Sequence, residues 1–430
     1  MPDTLSNHAP IDEARLQAMM DELSVFGGGP DGAMTRLALS KVDGAARDWL
    51  AAWFSAHGFT QEVDAIGNQF GSLTLAGANA PVIMVGSHID SQPNGGRFDG
   101  ALGVVSACEA ILAVSQRLKA ESKSSLCNFQ VVNWTNEEGA RFQPSLLGSS
   151  VFAGAAELNW ALDRVDGDGI SVRQALVEIG YAGTSKIAVP SALIELHIEG
   201  DKALFQSGEK FGVFTRFWGA TKYRLAFLGR QAHTGATPMA ERKDAILAAA
   251  YLIADLKQIS REHGLELHTS VGRLEVFPNS PNTVPSEAVL FIELRSGSAE
   301  ILAEAETKML DRIEVAAANA SVAYEVRSID RRMAGRFDAG LIALAERTAA
   351  TYGETARSLD TIGGHDAVAL SAVCPSIVMA VRSRDGVIHH PTEFTSAADQ
   401  AFGTQVLADM LYEIACKGLQ SFGNTDGGMT

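Results

Sequence analysis

The chain has few cysteines. There are four in 430 residues, Cys108, Cys127, Cys374 and Cys416. They show no Cys-x-x-Cys spacing and no paired framework, which excludes a disulfide scaffold and fits reduced cytoplasmic thiols. Positive charge is also short: 35 Lys and Arg against 51 Asp and Glu give a formal net charge of −16. That argues against a nucleic-acid partner or an anionic membrane surface. The N-terminus is polar and acidic, without a basic-then-apolar signal pattern. No apolar run approaches the ~20 residues of a membrane helix. There is no tandem repeat, and no low-complexity tract beyond a short Gly-rich tail at 423–430. What is present is ample core material, 46% hydrophobic residues, at a length that predicts two or three domains.

One stretch organises the rest. Residues 81–103 read PVIMVGSHIDSQPNGGRFDGALG. The apolar run Val82–Val85 reads as a buried strand, and it ends in His88-Ile89-Asp90. At strand spacing His88 and Asp90 share a side, so Asp90 can stand behind His88, fix its tautomer and raise its basicity as a metal ligand. The Gly-rich turn Asn94-Gly95-Gly96 brings in Asp99, and Gly100 opens an apolar helix. Asp99 therefore sits near a helix N-terminus, where an anion is favoured.

Along the chain, 11–25 and 44–57 have helical periodicity, with Gly58 as a stop. Residues 59–76 alternate around Gly67-Asn68 as a strand pair. A helix is expected at 101–119, a strand at Phe129–Thr135 running into Asn136-Glu137-Glu138-Gly139, helices at 145–157 and 171–179, and a strand at Ala192–Ile198. This alternation collects polar groups at strand ends, where open α/β sheets place their sites. After 212 the order changes. Strand Lys222–Leu228, helix Glu241–His263, strands His268–Phe277 and Ala288–Arg295, helix Ala299–Asn319 and strand Ser321–Ile329 give the β-α-β-β-α-β order of a ferredoxin-like unit. The expected division is 1–212 and 330–430 for an outer α/β domain, with 213–329 inserted. The outer domain resumes with a helix at 337–352, the Thr361–Asp366 loop, strand Ser376–Val381, the His389-His390-Pro391 turn and a helix at 396–418.

Five candidate ligands fall at strand ends or loops of the outer domain: His88, Asp99, Glu138, His197 and His389. Imidazole and carboxylate donors without thiolate suit Zn²⁺, Mn²⁺ or similar ions. A carboxylate such as Asp99 can bridge two ions. Glu137 and Glu138 are adjacent and point apart, so one can bind metal while the other stays free as a base, the division that metal-assisted hydrolysis needs.

From about residue 11 to 418 the chain resembles the two-metal amidohydrolases of the hydantoinase/carbamoylase type, among them N-carbamoyl-L-amino-acid hydrolase, allantoate amidohydrolase and β-ureidopropionase. The motifs that carry the resemblance are GSHIDS (86–91), GGRFDG (95–100), NEEGARF (136–142), ELHIE (195–199), AHTGATPM (232–239), PNSPNTVP (278–285), GGHDA (363–367) and SRDG (383–386). The resemblance implies a mixed-sheet, zinc-exopeptidase-like α/β catalytic domain whose ferredoxin-like insert serves as lid and dimerisation domain. It implies two divalent ions per subunit, Zn²⁺ or Mn²⁺, with Co²⁺ or Ni²⁺ as further options. On the resemblance His88 and His197 would each hold one metal or the other, Asp99 would bridge, and Glu138 and His389 would complete the second. Glu137 would be the general base. His233 would reach into the partner subunit of a homodimer and polarise the substrate carbonyl. Asn282 and Arg295 would hold a substrate carboxylate, with Gly364 and His365 also near the substrate.

Two departures stand out. The family usually has Gln-Gly-Pro where this chain has Gly200-Asp201-Lys202, and Ser before the last histidine where it has Ile388. With two adjacent histidines, His390 is an alternative to His389 by register. The expected activity is hydrolysis of the C–N bond of an N-carbamoyl, ureido or N-acyl amino acid. The alternatives are a dipeptidase or N-acyl-amino-acid deacylase, or a non-catalytic ligand-binding relative.

Overall fold

The computed structural model describes residues 8–422; the Gly-rich 423–430 tail lies outside them. The chain divides into two units. One comprises residues up to 215 with 337–359 and 364 onward; the other comprises 216–336 with 360–363. The sequence put these limits at 212/213 and 329/330. It missed the strand Phe211–Phe217 that runs across the first limit, and it ended the insert early because Ala323–Arg332 is an exposed strand with little hydrophobic signal.

The first unit is built on a mixed sheet. Its strand order is Thr60–Val63, Gln69–Leu73, Asn128–Trp134, Val82–His88, Ala192–Ile198, Ser376–Val381 and Phe211–Phe217. The four from Asn128–Trp134 to Ser376–Val381 are mutually parallel, and the outer pairings are antiparallel. These four are almost wholly buried. Parallel strands covered on both faces must be apolar throughout, which explains their unbroken hydrophobic runs. Because they run the same way, their C-terminal ends meet at one edge: His88 pairs with Trp134, and Ala380 with His197. Helices Ala101–Ala120 and Ala397–Lys417 pack against the sheet and each other, sharing a core with Val85, Ile194, Leu196 and Met379. By length and composition Ala101–Ala120 could cross a membrane, which corrects the expectation from the sequence. In the fold 83% of its most apolar window is buried, as befits a central core helix.

The second unit has the chain order β-α-β-β-α-β. Its four-stranded sheet runs Ala323–Arg332, Gly219–Leu228, Glu287–Ser296, His268–Phe277, all antiparallel. Helices Ala245–His263 and Ala299–Asn319 share one core with it, including Leu225, Phe227, Leu252, Leu290, Met309 and Ile313. The first helix starts at Ala245 rather than Glu241, because the Asp244 carboxylate caps it by accepting from Ile246 and Leu247 N–H. Of the expected 145–157 helix only Leu147–Phe152 forms; Gly154, in the left-handed region, follows it, and a separate short helix, Leu158–Leu162, begins after the Glu157 cap.

Candidate metal centre

The edge where the parallel strands end gathers all five candidate ligands of the first unit. His88 is the last residue of its strand and His197 the penultimate one of its own. Asp99 comes from the Gly-rich loop. Gly100 follows at φ 62°, and a Cβ there would fall 2.3–2.5 Å from the His88 ring. Only glycine lets this loop approach the imidazole so closely.

The side chains form two groups that share Asp99. One is His88, Asp99 and His197; the other is Asp99, Glu138 and His389; in each, one donor atom per residue lies within 4.8 Å of the others. His88 and His197 therefore fall in the same group. His197 Nε2 is 3.1 Å and His88 Nε2 3.8 Å from Asp99 Oδ1. His389 Nε2 is 3.1 Å from Asp99 Oδ2 and 3.2 Å from Glu138 Oε2. The tautomers are set from behind. His88 Nδ1 contacts the Asp90 carbonyl at 2.9 Å and His197 Nδ1 the Ile198 carbonyl at 2.9 Å. A carbonyl only accepts, so each Nδ1 carries a hydrogen and each Nε2 is turned to the cluster, where it becomes a lone-pair donor once any proton on it is displaced by a cation. His390 turns away, with Nδ1 2.9 Å from Thr392 Oγ1. His389 has φ 58°, a conformation uncommon outside glycine and often found at functional sites.

Asp90 does something other than the sequence suggested. Its carboxylate is 3.7 Å from His88 Nδ1, and its own backbone carbonyl orients the ring instead. The carboxylate accepts from Glu137 N–H at 3.2 Å (Oδ1) and Glu138 N–H at 3.3 Å (Oδ2). It therefore fixes the backbone of the acidic pair. The reason is turn geometry: Asn136 has φ 55°, which swings the next two N–H groups toward the His88-Ile89-Asp90 strand end. Glu137 lies outside both donor groups, with Oε2 3.4 Å from His88 Nε2.

The electrostatics are those of a cation site. Burial would raise the Asp99 carboxyl, but hydrogen bonds from His197 and His389 outweigh it and hold the group well below its ordinary value. Burial would lower His197, yet Asp99 lifts it to about 9; Asp99 and Glu138 lift His389 to about 10. Burial, then Asp366, Glu138, Asp99 and Asp90, push Glu137 well above its ordinary value. Buried carboxylates crowded in this way stay ionised only beside positive charge. Imidazole and carboxylate groups fit divalent ions that take N and O ligands.

His365 is buried, its ring edge-on to His197 at 4.6 Å and tilted against Phe214 at 5.2 Å. It follows Gly364 and precedes a short helix whose Ala367 N–H donates to Glu195. The remaining sequence candidates belong to the second unit. His233 and Asn282 are brought together there, since His233 pairs with Thr283 in a two-stranded ladder. Gly235 and Ala236 N–H both donate to His233 Nδ1, at 3.0 and 3.2 Å, so neutral His233 presents Nε2–H as a donor. Arg295 pairs with Glu293 at 2.9 Å and donates to the Ile362 carbonyl at 2.7 Å. A cavity of about 390 Å³ in this unit is lined by Thr234, Arg242 and Asn279 among others, and by none of the candidate ligands.

Several residues at the first unit's site escaped the sequence reading. Buried Arg36 donates to the carbonyls of Ile89, Leu23 and Phe26, bracing the strand end between His88 and Asp90. Buried Glu195 accepts from Ser87 Oγ at 2.7 Å. Glu393 grips the Asp99 loop. The available signal was weak: Glu195 falls inside an apolar strand, and Glu393 follows the His389-His390-Pro391 turn.

Residues 84–413 match the profile of peptidase family M20/M25/M40. The chain belongs to that family. A Mycolicibacterium smegmatis protein carrying only the general name hydrolase is 38% identical, over 94% of each chain. The N-carbamoyl-L-amino acid amidohydrolase of Geobacillus stearothermophilus is 31% identical, over 94% of this chain and 99% of that protein. The solved structure of a hydantoinase/carbamoylase-family amidase from Burkholderia vietnamiensis is 34% identical, with a TM-score of 0.84, covering 96% of this chain and 100% of that one. Membership of this M20-type family brings metal dependence with it.

Proposed function

We propose that the protein is a two-cation amidohydrolase that cleaves the C–N bond of an N-carbamoyl, ureido or N-acyl amino acid with a free carboxylate. The observation that carries this reading is the pair of donor groups sharing Asp99, with Glu137 beside them and bound to neither. His88 and His197 would hold one ion and Glu138 and His389 the other, with Asp99 common to both. Zn²⁺ or Mn²⁺ suits these donors, and Co²⁺ or Ni²⁺ would be accepted. Such ions would supply the positive charge that polarises the scissile carbonyl and acidifies water. Glu137 takes the proton of the attacking water and delivers it to the leaving nitrogen. His233 donates Nε2–H to the oxygen as negative charge develops, and Asn282 and Arg295 hold the substrate carboxylate, for which a guanidinium fork is suited. Gly364 and His365 line the substrate's other side. We read the second unit as a ferredoxin-like lid and dimerisation domain that presents His233 to the partner subunit of a homodimer. The free thiols of Cys108, Cys127, Cys374 and Cys416 support a cytoplasmic setting.

One observation favours an acyl over a simple carbamoyl group. The two departures from the family pattern face each other: a Cβ on Gly200 would lie 3.4 Å from Cδ1 and Cγ2 of Ile388. A polar amide is thus replaced by an apolar contact next to His389. The test is kcat/KM for carbamoyl, formyl, acetyl, larger acyl and dipeptide derivatives of one amino acid, using metal-reconstituted full-length protein. Turnover of a carbamoyl or acyl compound is expected; cleavage of the dipeptide alone, or of none of the series, overturns the proposal.

A further inference from the structure

Two loops that reach the metal centre from distant parts of the sequence are tied together by one carboxylate. Glu393 is buried and belongs to neither donor group. Its Oε1 accepts from Phe98 N–H at 2.8 Å and from Asp99 N–H at 3.1 Å. Its own N–H donates to the His390 carbonyl at 3.0 Å, closing the turn that follows directly on His389. The side chain fills the space above Gly96, where a Cβ would fall 2.1–2.3 Å from Glu393 Cδ, Oε1 and Cβ. Phe98 and Phe394 meet edge-on at 6.2 Å beside it. One residue of the His389 loop therefore sets the backbone position of Asp99, the ligand that both groups share.

We propose that Glu393 is a positioning residue that couples Asp99 to His389 and so sets the affinity of the Asp99–Glu138–His389 group for its ion. The inference rests on the two-cation reading above. Its physical content is the acceptor, not the charge. Oε1 accepts both N–H groups, and Oε2 makes no hydrogen bond, so an amide nitrogen placed there displaces no partner. Groups that orient a metal ligand in this way typically change affinity 10- to 100-fold when removed.

The experiment is a calorimetric titration of chelator-stripped full-length protein with Co²⁺, resolving the two binding steps. Glu393→Met fills the same space without an acceptor, and should weaken one of the two steps, that of the Asp99–Glu138–His389 group, about 10- to 100-fold and the other less. Glu393→Gln keeps the acceptor and should bind like wild type. Gly96→Ala leaves every acceptor in place but pushes Glu393 away, and should reproduce the Glu393→Met result. If Glu393→Met does not fold, as judged by circular dichroism, the comparison of Gly96→Ala with Glu393→Gln carries the test. Wild-type affinity in Glu393→Met or Gly96→Ala overturns the proposal. So does a Glu393→Gln protein as weak as Glu393→Met, or an equal weakening of both steps, which marks general loosening. A wild-type protein that saturates at one ion overturns the two-cation reading instead.

Discussion

Asp90→Asn separates two accounts of the His88-x-Asp90 pair. In the structure the two carboxylate oxygens accept one N–H each, from Glu137 and Glu138. Asparagine has one acceptor oxygen, and its NH₂ must face the other N–H. One buried donor is then left without a partner, at a cost of about 1–3 kcal/mol. Asp90→Ala strands both, at about 2–6 kcal/mol if each N–H costs the same. The loss is local, so amide hydrogen exchange of the metal-free protein at pH 8 is the assay. Either Glu137 or Glu138 should exchange roughly 5- to 160-fold faster in Asp90→Asn, the equivalent of that energy. His88 should keep its Nδ1–H tautomer, read from imidazole ¹⁵N shifts, because the carbonyl that fixes it remains. Turnover should fall with KM little changed, since the base loses its fixed backbone. Unchanged exchange at both amides together with an altered His88 tautomer would refute the reasoning, and would return Asp90 to the role of orienting the imidazole.

Other outcomes follow from the same geometry. Glu137→Gln should lower kcat by about 10²–10⁴ with metal retained, whereas Glu138→Gln should lose metal; the reverse pattern would exchange their roles. Metal analysis after reconstitution should give two ions per chain, and full activity at one ion would rule out a shared Asp99. Mixing inactive His233→Ala with inactive Glu137→Gln chains should restore activity in verified heterodimers; no recovery would confine His233 to its own chain. A Cβ on Gly200 meets only Ile388 side-chain atoms, at ordinary contact distance, so Gly200→Gln should fold and shift kcat/KM toward the carbamoyl substrate; an unmoved ratio would remove Gly200 from specificity.

The strong periodic signals were legible in the sequence. Strands Ala192–Ile198, His268–Phe277 and Ser376–Val381, and helix Ala299–Asn319, fall where hydrophobic patterning put them. Burial dictates such patterns residue by residue, so they survive in one dimension. The donor residues were legible too, because imidazole and carboxylate at the ends of apolar strands need a reason to be there. Boundaries set by capping or by positive φ were less so: Asp244 moved one helix start, and another helix stopped at Phe152, ahead of Gly154 at positive φ. Strand Phe211–Phe217 was missed because its partner, Ser376–Val381, lies far along the chain.

Only the tertiary structure decided who partners whom. Parallel pairing of Val82–His88 with Asn128–Trp134 and Ala192–Ile198 brings His88, the Glu137-Glu138 turn and His197 to one edge. Nothing local in the sequence encodes that adjacency. The same holds for His389, and not His390, lying against Asp99 and Glu138, for Asp90 serving the acidic pair rather than its neighbouring imidazole, and for Glu393 spanning to Asp99. Each depends on a hydrogen bond between residues remote in sequence or on one residue's backbone dihedral. The sequence determined which chemical groups are available, because composition and burial pattern are written along the chain. Their division into two groups around a shared Asp99 was left to the fold, because distances between strand ends exist only once the sheet has formed.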